Sequence, residues 1–248
     1  MKLKKISVFF LVIPFIIFSQ EKISGKIIYK YRIPKQVFDI KEKKESVKAV
    51  FNTYNKYIEN SKSKISYELI FNNNNSYYKL IKILSIDKEN DLEFAILFTG
   101  GKEEVYIDKN KNLKIKKIDV FGDFFFVKNT FKENWKLTQE TKMISNYTCY
   151  KAILEKKIKL QDNKEKTFLI EAWFTPQVPV NFGPKGYGGL PGLILELHQG
   201  GIIYYAKKIE LKKNKTVTID MPIKGKVISE KEFSNMFRKF DKNRSKKR

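Results

Sequence analysis

Residues that enzymes commonly use for chemistry are scarce in this 248-residue sequence, which has one cysteine, Cys149, and one histidine, His198. A single cysteine cannot close an intramolecular disulfide, so the fold has to be stabilised by packing and hydrogen bonds. A zinc site normally uses three or four nitrogen or sulfur donors, which one histidine and one distant cysteine do not supply. The sequence therefore predicts no metal site, no cofactor and no catalytic residue.

Nucleotide-binding motifs are missing as well. Gly186 and Gly188 form a G-x-G pair, but Pro191 stands where a dinucleotide fingerprint needs its third small residue. No stretch fits a P-loop or the serine elbow of a hydrolase, and the segment after the glycines alternates like a strand. A strand offers no helix N-terminus to receive a phosphate, so nucleotide binding is not expected.

Arginine is scarce, since only Arg32, Arg238, Arg244 and Arg248 occur among 50 basic residues. The net charge of +23 is carried by lysines dispersed along the chain. Nucleic-acid interfaces favour clustered arginine with interleaved aromatics, so no nucleic-acid partner is expected. The lysines indicate a solvated surface, or attraction to an anionic lipid or polysaccharide.

The N-terminus has the layout of a secretory signal. Lys2, Lys4 and Lys5 precede an apolar run over residues 6–18, and Ser19 offers a small residue before polar sequence. This pattern predicts a signal peptide over 1–19, a single β-rich domain over 20–240 and a basic tail over 241–248. The alternative is an uncleaved anchor. After cleavage no transmembrane segment is expected, and the protein would be periplasmic, outer-membrane-associated or secreted.

The most distinctive stretch is Asn181 to His198, NFGPKGYGGLPGLILELH, which combines glycines and prolines and then turns into an apolar segment. Glycine admits positive φ and proline fixes φ, so this loop should have a defined shape. It is interpreted as a corner between two strands, with a binding loop as the alternative. Its motif residues are Gly183, Pro184, Gly189, Leu190, Pro191, Gly192, Leu193 and Ile194.

Two upstream segments accompany this loop: Trp173-Phe174-Thr175-Pro176, and a stretch from Asn134-Trp135 to Lys151-Ala152. In this order, over roughly residues 130 to 200, the chain resembles the GLPGLI family, secreted proteins of Gram-negative bacteria with no assigned function. The resemblance implies an exported location and a β-rich fold. It implies no activity.

Alternation with a period of two dominates the sequence and predicts an all-β fold, β-rich with one or two short helices. A strongly curved antiparallel sheet, a partial barrel or a sandwich would accommodate these strands. The tetrad at residues 72–75 and the pair Gly200-Gly201 predict hairpin turns. Strands are expected at residues 24–33, 64–71, 77–84, 94–99, 104–108, 113–120, 124–128, 135–144, 148–159, 166–175, 193–199, 202–212 and 217–219.

Two helices are predicted. Val50, Tyr54, Tyr57 and Ile58 share helical spacing. Near the C-terminus, Ser229-Glu230-Lys231-Glu232 fits a capping box, and Phe233, Met236, Phe237 and Phe240 then lie on one helical face. This amphipathic helix should pack against the sheet, with docking to a membrane surface or a partner as the alternative.

The leading functional hypothesis is a non-enzymatic ligand-binding or partner-binding protein of the cell envelope. Apolar contacts on a concave sheet with lysines at the rim would suit an amphiphilic anionic envelope component, and another envelope protein is the alternative partner. Candidate ligand-binding residues are Phe124, Phe125, Phe126, Trp135 and Trp173, although such aromatics also fill cores.

Two other functions stay open. The glycine loop and the C-terminal helix could form a protein–protein docking surface. An envelope hydrolase would require Glu171, Glu196 and His198, or Cys149 and His198, to converge within hydrogen-bonding reach.

Overall fold

A computed structural model of the chain describes residues 22–35, 44–81, 90–120, 122–159, 165–215, 217–221 and 226–236. The predicted signal peptide, the predicted basic tail and the helix positions Phe237 and Phe240 lie outside these residues.

Strands dominate the described part of the chain. They are β1 (Ile23–Arg32), β2 (Tyr67–Phe71), β3 (Asn75–Leu80), β4 (Glu104–Asp108), β5 (Leu113–Val120), β6 (Asp123–Thr130), β7 (Lys136–Ile144), β8 (Tyr147–Lys159), β9 (Glu165–Thr175), β10 (Leu193–Gln199), β11 (Ile202–Lys213) and β12 (Val227–Ser229). The helices are α1 (Glu45–Asn60), α2 (Asn90–Phe98), a 3-10 turn at Pro184–Gly186, and a helical stretch at residues 230–236.

All twelve strands form one sheet in the order β12-β6-β5-β4-β3-β2-β1-β11-β10-β9-β8-β7. Neighbours are antiparallel except β12 and β6, which are parallel. The order ends at β12 and β7, so the sheet is not closed into a barrel. The all-β prediction is confirmed.

One face of the sheet carries the core. In β1, Ile27, Tyr29 and Tyr31 are buried, whereas Lys30 is half-buried and Arg32 is exposed, which gives the alternation of a sheet with one covered face. We call the side of Tyr29 the buried face and the side of Arg32 the outer face.

The sheet is strongly bent towards its buried face. Glu133, in the β6–β7 connection, accepts from Lys114 of β5 at 3.0 Å and from Lys156 of β8 at 3.2 Å through the same oxygen, Oε1. Because β5 and β8 are eight steps apart in the strand order, they would stand about 38 Å apart in a flat sheet. Two lysine side chains cannot span that distance, so the two halves of the sheet approach each other across the core.

The two longer helices cover part of the buried face. Tyr31 donates its hydroxyl to the Ile58 carbonyl of α1 at 2.9 Å, and α1 packs on α2 through the stacked rings of Tyr54 and Phe94, 4.3 Å apart. The helix predicted from Val50 to Ile58 is therefore confirmed. Within the described ranges no helix combines the length and the apolar character needed to cross a bilayer.

Two predicted strands are wrong. Residues 94–99 belong mostly to α2, because a short continuous apolar run cannot be assigned to strand or helix by periodicity alone. Residues 217–219 join no strand, and the Val217 carbonyl accepts a hydrogen bond from the Asn72 side chain at 2.9 Å instead of a ladder bond.

The C-terminal capping box is confirmed. Ser229 Oγ accepts from the Glu232 backbone N–H at 3.2 Å, and Glu232 Oε2 accepts from the Ser229 N–H at 2.7 Å. Phe233 lies 5.9 Å from Phe125 of β6, measured between ring centroids. The described part of this helix therefore contacts the sheet through Phe233, whereas Met236 of the predicted apolar face is exposed.

Candidate functional site

The glycine loop connects β9 to β10 and lies against the buried face. Leu190 and Leu193 are buried, while Gly189 and Pro191 are exposed. Trp135 donates its indole N–H to the Gly188 carbonyl at 2.8 Å, and the Asn181 side chain donates to the Leu190 carbonyl at 2.7 Å. These bonds hold the loop in one shape.

Glycine is required at two motif positions by close approach. A Cβ on Gly192 would stand 2.2 Å from the Thr175 carbonyl oxygen, and one on Gly183 would stand 2.6 Å from the Ile194 side chain. Pro184, Gly186 and Phe182 are buried in the same layer. The loop is thus part of the core, and it covers the concave side of the bent sheet.

A cleft of about 750 Å³ opens beside this loop, beneath α2. Its walls are α2, the turn that follows α2, the end of β5 and the β10–β11 connection. The residues that line it are Glu93, Phe94, Ile96, Leu97, Phe98, Gly100, Gly101, Lys102, Glu103, Ile118, Asp119, Lys185, Gln199, Gly200, Ile202 and Tyr204.

Lys185 enters the cleft from the 3-10 turn of the loop. Its backbone has φ +56°, and the turn is closed by a bond from the Tyr187 N–H to the Pro184 carbonyl at 3.1 Å. The ammonium lies over the Tyr204 ring at 5.5 Å. Burial lowers the pKa of Lys185, although the charge of Glu103 opposes this effect.

Tyr204 and Gln199 add polar groups to the cleft wall. Tyr204 donates to the Thr99 carbonyl at 2.9 Å, and Gln199 Nε2 donates to the Tyr187 hydroxyl at 3.0 Å. The Gln199 side-chain oxygen is buried and has no hydrogen-bond partner among the described residues. A polar group without a partner is unusual in a core.

The aromatic residues that the sequence suggested for ligand binding lie elsewhere. Phe124 is 52% exposed under Lys117, Phe125 packs on Phe233, and Phe126 is buried. Trp135 donates a hydrogen bond to the glycine loop, and Trp173 is buried with the Lys142 ammonium over its ring. None of these five lines the cleft beneath α2.

Sequence reasoning missed the cleft because it assigned residues 94–99 to a strand. The available signal was Asn90-Asp91 directly before the apolar run, a typical helix start. Asp91 does accept a hydrogen bond, from the Leu92 N–H at 2.9 Å.

A second cluster of charged residues lies on the outer face around Glu196, which is 4% exposed. Glu196 Oε1 accepts from Lys142 at 2.6 Å and contacts His198 Nε2 at 2.7 Å, while Oε2 accepts from Arg32 at 2.9 Å. Burial alone raises the pKa of Glu196, but the hydrogen bonds and charges of these neighbours outweigh burial and lower it to about 2.

A hydrolase would require Glu171, Glu196 and His198 to converge. His198 contacts Glu196 but stays beyond hydrogen-bonding distance of Glu171, so the three residues are brought together only in part. His198 Nδ1 lies 3.9 Å from Glu171 Oε2, and Glu171 pairs with Lys151 at 3.3 Å. Both oxygens of Glu196 are already engaged, so neither is free to act as a general base. A register shift between Ile194 and Glu196 pairs them with the consecutive residues Phe174 and Trp173, so Ile194 and Glu196 lie on opposite faces of the sheet.

Cys149 and His198 do not form a nucleophilic pair. Cys149 is fully buried, and its thiol contacts the Tyr147 carbonyl at 3.6 Å. Burial raises the pKa of Cys149 to about 11, which keeps the thiol protonated and unreactive.

The chain is similar to one protein family over part of its length. The model of a family described as a protein of unknown function, Porph_ging, matches residues 156–196. That family has no assigned function. The match runs from β8 through β9 and the glycine loop into β10, and it is consistent with the resemblance read from the same segments. Among curated proteins there is no match.

Two solved structures of PNGF-II resemble this chain. In space group C2 the identity is 17% and the TM-score is 0.46, over 80% of this chain and 28% of PNGF-II. In space group P21 the identity is 16% and the TM-score is 0.50, over 87% of this chain and 33% of PNGF-II. This chain spans about a third of the length of PNGF-II, and the likeness concerns the fold alone.

Proposed function

We propose that this chain is an exported, non-enzymatic binding protein that takes an amphiphilic ligand in the cleft beneath α2. The observation that carries the proposal is the cleft, whose volume of about 750 Å³ lies within the usual range for small-molecule sites. Export rests on the signal-like N-terminus, and an amphiphilic component of the cell envelope would then be available to the protein.

The apolar wall of the cleft supports an amphiphile. Helix α2 contributes Phe94, Ile96, Leu97 and Phe98, and the sheet adds Ile118, Ile202 and the Tyr204 ring. Leu97 is 76% exposed although it stands in an otherwise apolar run. A ligand tail that covered Leu97 would remove that apolar surface from water, which is favourable in proportion to the area.

The arrangement of the titratable side chains supports binding without catalysis. Glu196 is saturated by three donors, Cys149 is buried as a thiol, and the cleft contains neither of them nor His198. The cleft therefore offers shape, apolar surface and one ammonium without an ion-pair partner among the described residues, that of Lys185, which suit recognition more than bond cleavage.

The test is the binding of the neutral apolar dye N-phenyl-1-naphthylamine to the purified protein, followed by fluorescence. We expect the dye to bind and Leu97→Ser to weaken binding about fivefold, because burying part of a leucine side chain contributes about 1 kcal/mol. Leu137→Ser is the matched control, since Leu137 is 62% exposed on β7, outside the cleft.

Absence of dye binding, or an equal loss in both variants, would contradict the proposal. Native mass spectrometry of the protein purified from its own envelope complements the dye, and we expect a co-purifying amphiphile that is depleted in Leu97→Ser.

A further inference from the structure

The ammonium of Lys185 is the one charge in the cleft that lacks a partner among the described residues. It makes no ion pair and no hydrogen bond with them, and its only close interaction there is with the Tyr204 ring. Withdrawing an ammonium from water without a hydrogen bond is costly, and Glu103, whose charge favours the protonated form of Lys185, is itself paired with Lys116.

The carboxylates around the cleft are already engaged. Glu93 pairs with Lys102 at 3.1 Å, Glu103 pairs with Lys116 at 3.6 Å, and Asp119 accepts from the Gly122 N–H at 2.9 Å. Lys185 is therefore the lysine of the cleft lining that has no ion-pair partner among the described residues, whereas Asp119 is held by a backbone N–H.

The position of Lys185 is fixed by the surrounding backbone. A Cβ on Gly186 would stand 2.4 Å from the Val105 side chain, so the turn that carries Lys185 sits tightly on β4. A Cβ on Gly100 would stand 2.6 Å from Lys185 Nζ, so the glycine after α2 leaves the room that the ammonium occupies. The backbone that carries Lys185 is thus in place before any ligand arrives, which reduces the entropic cost of binding.

We infer that Lys185 binds the head group of the ligand and that this head group is a carboxylate, so that the cleft takes a fatty acid or a similar acyl carboxylate. This inference rests on the proposed function. One ammonium matches one negative charge, whereas a phosphate monoester carries close to two and is typically met by several cations or an arginine fork. The apolar residues of α2 would then cover the acyl tail.

The inference is tested with three amphiphiles of equal chain length, namely dodecanoate, 1-dodecanol and dodecyl phosphate. Each is titrated against the dye-loaded protein. For the wild-type protein we expect dodecanoate to bind more than tenfold more tightly than dodecanol, because a hydrogen bond to a charged group is among the stronger ones. Dodecyl phosphate should bind no better than dodecanoate.

Two variants separate Lys185 from the other lysines. Lys185→Met keeps the length of the side chain and should lose at least tenfold in affinity for dodecanoate, with the affinity for dodecanol kept or improved. Lys136→Met is the matched control, since Lys136 pairs with Glu155 on an exposed part of β7, outside the cleft. We expect this control to change either affinity by less than about threefold.

The outcomes distinguish the inference from the proposed function. Failure of every amphiphile and of the dye to bind would contradict both. Equal affinity of the wild-type protein for dodecanoate and dodecanol, or a preference for dodecyl phosphate, would overturn the carboxylate assignment while leaving a binding cleft in place. An equal effect of the two lysine variants would overturn the role of Lys185.

A second measurement uses only the wild-type protein and does not depend on the folding of a variant. Burial lowers the pKa of Lys185 in the empty cleft, and a bound carboxylate would raise it again. In the alkaline range over which Lys185 loses its proton, where the fatty acid is fully ionised, binding should therefore take up protons. Calorimetry over an alkaline pH series, in two buffers of different ionisation enthalpy at each pH, measures this uptake, and its absence for dodecanoate at every pH would contradict the inference.

Discussion

At the scale of single residues, the polar side chains of this protein fall into two groups with different roles. Glu196 and its neighbours satisfy one another on the outer face, whereas Lys185 faces a cleft without a partner among the described residues. Perturbed pKa values occur in both groups, so a shifted pKa alone does not separate structural residues from functional ones. The contacts that cause each pKa shift separate the two groups: Glu196 is held by neighbouring side chains, whereas the Lys185 ammonium is not.

Acid should destabilise the protein through Glu196. Its pKa is lowered from 4.5 to about 2 in the fold, so the stabilisation is present above about pH 4.5 and is lost as the pH falls towards 2. We expect Glu196→Gln to lower the free energy of unfolding by about 2–3 kcal/mol at neutral pH. Because a protonated glutamate resembles glutamine, the difference should vanish near pH 2.

Urea unfolding of both proteins over a pH series measures this difference. Glu59→Gln is a suitable control, since Glu59 pairs with Lys62 on the exposed side of α1. A difference between wild-type and Glu196→Gln proteins that did not depend on pH would show that the lost contacts act by packing instead of charge.

At the scale of elements, local signals predicted strands well and the second helix badly. The hairpins were visible because turn residues such as Gly200-Gly201, both with positive φ, separate alternating runs. Helix α2 was not visible, because Phe94 to Phe98 is apolar without interruption and its exposed Leu97 breaks the expected pattern. Because residues 94–99 were predicted to form a strand, the prediction contained no helix at the position that forms the main wall of the cleft.

The C-terminal helix offers a test of an element that the sequence did predict. We expect Ser229→Ala to cost about 1 kcal/mol of local stability, because Ser229 Oγ accepts the orphan N–H of Glu232 at the first turn. Faster amide hydrogen exchange over residues 230–236 would report the loss. Ser234→Ala, inside the same helix, should not accelerate exchange, since alanine has the higher helix propensity. Equal exchange in both variants would contradict a capping role for Ser229.

At the scale of the whole molecule, the bend of the sheet could not be derived from the sequence. The alternation of Ile27, Tyr29 and Tyr31 shows that one face is buried, but it does not show which distant strands meet across the core. That closure depends on single long-range contacts, such as Trp135 with Gly188 and Glu133 with two lysines. The glycine loop contributes Lys185 to the lining of the cleft, so the position of the loop in the bent sheet also determines the cleft.

Glu133 should therefore be important for the shape of the whole sheet. It joins Lys114 of β5 to Lys156 of β8, and the side chains of Lys114 and Glu133 are 7% and 12% exposed. Burial lowers the pKa of Lys114, and Glu133 opposes that effect, so removing the carboxylate would leave a buried ammonium without its partner. Breaking a buried pair from one side typically costs about 3–5 kcal/mol.

We expect Glu133→Gln to lower the free energy of unfolding by about 2–4 kcal/mol, towards the lower end because the amide oxygen can still accept one hydrogen bond. The loss should shrink at alkaline pH, where Lys114 becomes neutral and no longer needs a counter-charge. Chemical unfolding at neutral and alkaline pH measures both effects. Glu155→Gln is the matched control, since Glu155 pairs with exposed Lys136 and should be nearly silent. If Glu133→Gln were equally silent, the two halves of the sheet would be held together by the core and the glycine loop alone.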